Sequence, residues 1–356
     1  MKKILGWALT ILVVVCVVGY NISHYEKDDS KVKIGVIIPM SGSSAVYGDS
    51  ALIATRIFQQ KYPDFPVEFV FADNESFDTQ KTITAVQKLV NLDKVDVLLT
   101  FMSPPGLATR EIAENSHIPH FGVATDEQVA KGKYNFTIAT SPKKEANSRY
   151  KWVKKNGYKK IVYVLENSVG IKSYYDEFVR LIDADKDVTL VDTFYMPTKS
   201  YQFRNEIVKI KHEGPEAILV DFITMPMADN FLRQAREGEL NIPYTGGMAY
   251  LQDKSLAEGV VFPDVAAAQN GYPEEYEKIS GNTMTNYSEY VYALLEIIQK
   301  AYPADGDKEK FLSNVYQIVP TLKSAVGNLS INDEGYIDAD SSWKQIKDGK
   351  IVLVEE

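Results

Sequence analysis

The stretch from Lys31 to Phe58, KVKIGVIIPMSGSSAVYGDSALIATRIF, constrains the fold more than any other part of the chain. Ile34, Val36, Ile37 and Ile38 lack the strict alternation of a half-exposed strand, so they read as a strand buried on both faces. A Ser/Gly loop and an amphipathic helix follow, and the three together open a βα unit. In open α/β sheets ligands lie just beyond the carboxyl ends of the strands, which makes Ser41 to Tyr47 the first candidate binding loop.

The alternation continues along the chain. Strand signals fall at 32–39, 67–72, 95–101, 120–124, 161–165, 188–195, 217–221 and 244–246. Helix signals fall at 47–61, 79–92, 104–114, 143–155, 173–184, 202–212, 227–237 and 287–301. This order predicts βαβ units, parallel sheets and right-handed crossovers. A single sheet would need too many strands, and 356 residues exceed one compact core. The expectation is an α/β fold of two doubly wound parallel-sheet lobes. The first series closes near Phe136 to Ser141, and the second runs from Ile161 to Gly246 with a crossing near Val260 to Val265. Mainly helical sequence from Glu274 to Val319 and short strands at 327–330, 343–346 and 351–354 complete the chain.

Lys2 and Lys3 precede an apolar run from Ile4 to Gly19, with polar sequence from Asn21. That is the layout of an export segment. An N-terminal apolar helix is expected, with residues 1–22 a signal peptide or membrane anchor and 23–31 a tether. Cys16 offers a third reading, an acylated lipoprotein cysteine, although Val13 to Val15 are not the small residues that would precede one. All three readings place the folded part outside the cytoplasmic membrane. As the sole cysteine, Cys16 also leaves the folded part without disulfides.

A net charge of −9 supplies no basic surface for nucleic acid. His24, His117, His120 and His212 lack metal-ligand spacing. SGSSAVYG has no Walker lysine, and neither Gly-x-Gly-x-x-Gly nor a Gly-x-Ser-x-Gly elbow occurs. No cofactor, metal or catalytic chemistry is expected.

IGVIIPMSG followed by Tyr47-Gly48, the Ala124-Thr125-Asp126 stretch and LRQAR at 232–236 resemble the type I periplasmic solute-binding proteins, particularly the branched-chain amino-acid-binding branch. The resemblance implies three crossings between lobes: 32–140 with 266–324 would form lobe 1, and 141–265 with 325–356 lobe 2. It also implies an extracytoplasmic component of an ABC importer that captures an amino acid or similar small carboxylate or amide by hinge closure. Permease and ATPase subunits would be its partners; the alternative is a ligand-sensing domain signalling to a partner protein.

Ser103 reads from the sequence as an N-cap with Pro104 in the first turn. It either only caps or also forms an anion site at the helix N-terminus. In the family this serine holds the ligand carboxylate; Pro104 and Pro105 carry no N–H, which leaves the site to Ser103 and Gly106. By the same resemblance Thr125 bonds both ends of an amino acid, carbonyls of Gly122 to Ala124 accept from an ammonium, and Tyr47 covers the ligand. Thr125 reads equally as a cap. Val169-Gly170 replaces the family's Tyr-Gly pair, and Met225 its ligand-facing aromatic. Met248 aligns with the ammonium-pairing glutamate. The two methionines line an adaptable apolar wall or pack in the core. Asp221, ending ILVD, and Asp126 are candidate replacement acids; Asp221 reads alternatively as a backbone-bonded strand end.

Overall fold

Every residue of β1 (Val32–Ile38) is buried, as its apolar run requires. The strand lies between β2 (Val67–Asp73) and β3 (Val97–Phe101), parallel to both. β4 (His120–Val123) and β5 (Asn135–Thr140) extend the sheet, again in parallel. A second parallel sheet has the order β7-β6-β8-β9, from β6 (Lys160–Glu166), β7 (Thr189–Met196), β8 (Ala217–Asp221) and β9 (Tyr244–Gly246). The structure, a computed structural model, describes residues 31–224, 226–248, 251–282, 284 and 287–355. The N-terminal apolar segment with Cys16, the tether up to residue 30 and Met225 lie outside the described residues. Among the described residues no helix is long and apolar enough to cross a membrane.

Helices fill the crossovers: α1 (Ala45–Lys61), α2 (Thr79–Lys88), α3 (Ser103–Ser116), α4 (Pro142–Lys155), α5 (Val169–Asp185), α6 (Arg204–Glu213) and α7 (Met227–Glu237). Their starts follow local chemistry. Ser141 caps α4 by accepting from Lys144 N–H, with Pro142 in the first turn, and Ser168 caps α5. After β10 (Val261–Asp264) come α8 (Tyr272–Ser280), α9 (Ser288–Ala301) and α10 (Lys308–Ile318), and α9 is buried against the first sheet's core.

The end of the chain corrects one expectation. β11 (Leu329–Ile331) and β12 (Tyr336–Ala339) join the first sheet, β12 in parallel beside β5. Residues 325–339 therefore belong with lobe 1, and the third crossing falls at Asp340 to Ser342 rather than after residue 324. β12 is only four residues long and directly follows the turn at Gly335, so no local pattern marks it as a strand. β13 (Ser342–Lys347) and β14 (Lys350–Val354) then form a small antiparallel sheet with β10.

The three crossing segments meet at one buried hydroxyl. Thr140 Oγ1 accepts from Ala266 N–H at 3.0 Å, donates to Asp340 carbonyl at 3.2 Å and lies 3.0 Å from Tyr290 Oη. Beside this knot Lys344 donates to Asp264 at 2.8 Å. Glu289, in the first turn of α9, is buried nearby, and its Oε2 has no hydrogen-bond partner. Burial, and secondarily the charge of Asp264, outweighs Lys344 and two backbone amides and pushes the Glu289 carboxyl up to about 7; the phenols of Tyr272 and Tyr290 are its other titratable neighbours. The folded state thus holds a proton that the unfolded chain has released. Stability from this group is complete below the ordinary Glu range, near pH 4.5, and is lost as pH rises through about 7. Glu289→Gln removes that loss. Urea titrations from pH 5 to 8 should show wild type falling relative to the variant by up to about 3 kcal/mol; parallel curves would contradict the assignment.

Candidate functional site

The carboxyl ends of both parallel sheets face one cavity of about 100 Å3 between the lobes. Lobe 1 contributes Ser103, Ala124 and Thr125 from the loops after β3 and β4, with Phe77, Met102 and Tyr287 as an apolar wall. Lobe 2 contributes Ser168, Val169 and Gly170 from the start of α5, with Ile171, Tyr174 and Ile223. None of the described residues lining the cavity carries a charge. A groove of about 400 Å3 along Asp183, Lys186 and Thr189 is larger, but it lies at the amino ends of the second sheet's strands. A solute held there would touch one lobe only, so the smaller cavity is the candidate site.

Ser103 and Thr125 are brought together. A methyl group placed on Gly170 would sit 3.0 Å from Thr125 Oγ1 and 3.6 Å from Ser103 Oγ, so both hydroxyls converge on the first turn of α5. Ser103 is the first helical residue of α3 rather than its cap, with Met102 preceding it. Its Oγ accepts from Asp126 N–H at 3.3 Å, which leaves the hydroxyl proton to donate. The first amides of α5 have no carbonyl within their own helix, and the positive end of this 17-residue helix favours an anion at that point.

Other expected site residues lie elsewhere. Gly106 donates its N–H to Met102 carbonyl at 3.1 Å, and its missing side chain makes room for Val129, whose methyls a Cβ would meet at 2.8 Å. Tyr47 does not cover the cavity. It packs among Phe77 and Phe101, and its hydroxyl reaches across to Ile223 carbonyl of lobe 2 at 3.3 Å. Glu166 holds that receiving loop by accepting from Ile223 and Thr224 amides at 3.0 and 2.9 Å. Burial, then the charge of Glu166, pushes the Tyr47 phenol far above its ordinary value, so it stays protonated and donates.

Asp221 is not a free acid. It is 1 % exposed and accepts from Arg149 Nε at 3.1 Å, Arg149 Nη2 at 2.8 Å and Tyr163 hydroxyl. Arg149 also pairs with Glu145 and lies 4.7 Å from the ring centroid of Tyr174, a cavity residue. The network therefore props the cavity from behind. Met248 is wholly buried in the lobe 2 core with Val220, Phe222 and Leu251. Asp126 caps a short turn by accepting from Gln128 N–H. The carbonyls expected to receive an ammonium already have donors beside them: Thr137 Oγ1 shares its one proton between those of Gly122 and Ala124, and Met102 N–H donates to that of Val123.

Phe77, Met102, Tyr174 and Tyr287 were not anticipated. Phe77 follows β2, so the rule of strand carboxyl ends would have reached it. Tyr287 follows no strand, and nothing in its neighbourhood of the sequence points to a site.

Residues 31–335 match the family model described as periplasmic binding protein. No curated protein sequence matches the chain. Solved structures with the same fold include a solute-binding protein of an ABC transporter from R. palustris in complex with benzoate, 18% identical with a TM-score of 0.80, the match covering 91% of this chain and 95% of that one. A leucine-binding protein from Thermotoga maritima is 21% identical with a TM-score of 0.78, covering 91% and 98%. The branched-chain amino acid transporter substrate-binding protein of Streptococcus pneumoniae, in complex with isoleucine, is 18% identical with a TM-score of 0.79, covering 92% and 100%.

Proposed function

The chain belongs to the type I periplasmic binding proteins, non-enzymatic solute-binding components of ABC transporters, and from that membership we propose that its solute is a small monocarboxylate with an apolar body and no ammonium group. Membership implies an extracytoplasmic place of work and permease and ATPase partners. The observation that carries the ligand class is the lining of the cavity: the lobe 1 hydroxyls of Ser103 and Thr125 facing a helix N-terminus with Ser168 at one end, mainly apolar and aromatic groups elsewhere, and no charge among the described residues. A carboxylate there takes hydrogen bonds from Ser103 and Thr125 and from the first amides of α5, each worth about 1.5–3 kcal/mol to a charged group. An ammonium finds no acid among the described lining residues, and the nearby carbonyls already accept hydrogen bonds, so its charge is left without a carboxylate partner at a cost of several kcal/mol. The volume is of the same order as the ~150 Å3 apolar cavity that takes benzene, which suits a ring or short branched chain. The neighbour bound to benzoate supports this reading; the isoleucine bound in the Streptococcus pneumoniae neighbour carries an ammonium that this cavity does not serve.

Capture proceeds by closure. The solute docks on the hydroxyls of lobe 1, α5 approaches with lobe 2, and the Tyr47–Ile223 bond latches the rim. Binding free energy then favours the closed form presented to the permease. A thermal-shift series checks the ligand class with benzoate, 4-methylpentanoate and isobutyrate against leucine, isoleucine and benzamide. A bound solute raises the melting temperature by linkage. Ammonium-free carboxylates should give the largest shifts; larger shifts with leucine or isoleucine would overturn the proposal.

A further inference from the structure

We propose that Phe77, Met102 and Tyr287 are the specificity-determining wall of the cavity, aimed into it by backbone conformations that side-chain-bearing residues rarely adopt. The inference rests on the cavity being the solute site. Its own support is conformational. Phe77 has φ of 69°, Met102 of 73° and Tyr287 of 75°, and all three line the cavity. Five other positive-φ residues have ordinary reasons: Lys94, His117 and Lys186 are left-handed caps at helix ends, and Asn270 and Asp348 each precede a glycine of positive φ. Glu75, Ser76, Lys199 and Glu239 also have positive φ, but none of them lines the cavity.

No such reason covers the three wall residues. Met102, with ψ of 156°, occupies a region that is essentially glycine's own. Phe77 ends a run of three such residues, after Glu75 and Ser76, and Tyr287 stands at the start of α9. Glycine would fit each backbone more easily, yet each position carries a large apolar side chain. Packing alone does not require them either, since each is only partly buried, with one side against the lobe 1 core and the other toward the cavity. Phe101 stands behind two of them, with ring centroids 6.3 Å from Phe77 and 6.2 Å from Tyr287. The wall is thus backed by the core, and its side chains set the width open to the solute's body. The same rings touch Tyr47, which joins the wall to the latch across the lobes.

The test pairs glycine with alanine at each position in the full chain. At unstrained positions alanine is the more stable residue; at these three the order reverses, and Met102→Gly should melt about 2–4 °C above Met102→Ala. In calorimetry Phe77→Ala and Met102→Ala should lose at least about tenfold in affinity for benzoate and gain relative affinity for the bulkier 1-naphthoate. Alanine variants melting above their glycine partners at all three positions, or an unchanged ranking of the two carboxylates, would overturn the inference. Failure of wild type to bind any carboxylate would instead count against the ligand class proposed above, while the melting order still decides whether the wall is strained.

Discussion

Replacing Gly170 by valine should abolish solute capture while both lobes remain folded. Gly170 is the second residue of α5, and the space beside it is occupied by Thr125 Oγ1 and Ser103 Oγ of the opposite lobe. A single methyl group at 3.0 Å requires a shift of a few tenths of an ångström. Valine adds two more carbons at the point where the proposed solute's carboxylate would sit, so it displaces that group or props the lobes apart. Either outcome removes the convergence of donors on which capture depends. The expected loss is at least about 100-fold in calorimetric affinity, equivalent to roughly 2.7 kcal/mol. Stability moves little, because the substitution faces the cleft and a side chain in a helix is at least as favourable as glycine. Gly170→Ala should show the same trend with a smaller loss. Full affinity in the valine variant would contradict the closed geometry described for α5.

Asp221→Asn should destabilise lobe 2 severely and reach the cavity only indirectly. The substitution leaves Arg149 buried at 3 % exposure with Glu145 as its remaining acid, and it leaves one acceptor oxygen where two now serve Arg149 Nε, Arg149 Nη2 and the Tyr163 hydroxyl. Removing one partner of a buried ion pair typically costs 3–5 kcal/mol; the retained Glu145 pair places this case toward the lower end, about 3 kcal/mol in urea unfolding. Were Asp221 instead the partner of a ligand ammonium, the variant would keep its stability and lose only binding. That pattern, a denaturation midpoint unchanged with affinity lost, would contradict the structural role.

The architecture was legible because buried parallel strands leave unbroken apolar runs: IGVII and AILV each mark a strand wherever they stand. β12 escaped because Tyr336 to Ala339 is four residues long and adjoins a turn at Gly335, so its pairing with β5, far away in sequence, carries the information. Ser103 and Thr125 were legible from their places beyond β3 and β4. Gly106 misled because a glycine near a binding loop can serve either a ligand or a neighbouring side chain, and here Val129 takes the space. Asp221 and Met248 misled for a related reason: both stand at or just beyond the ends of cleft-facing strands, but their side chains turn into lobe 2. The strained wall had no signature at all, since φ at Phe77, Met102 and Tyr287 is imposed by the fold rather than by residue type.

Leucine and 4-methylpentanoate share one carbon skeleton and one carboxylate and differ by a single ammonium group. Calorimetric titration of the protein with this matched pair isolates that group. An uncharged cavity with its carbonyls engaged predicts that 4-methylpentanoate binds at least about tenfold more tightly, or roughly 1.4 kcal/mol. Tighter binding of leucine would mean that a partner for the ammonium exists in the cleft, contrary to the account given for its lining.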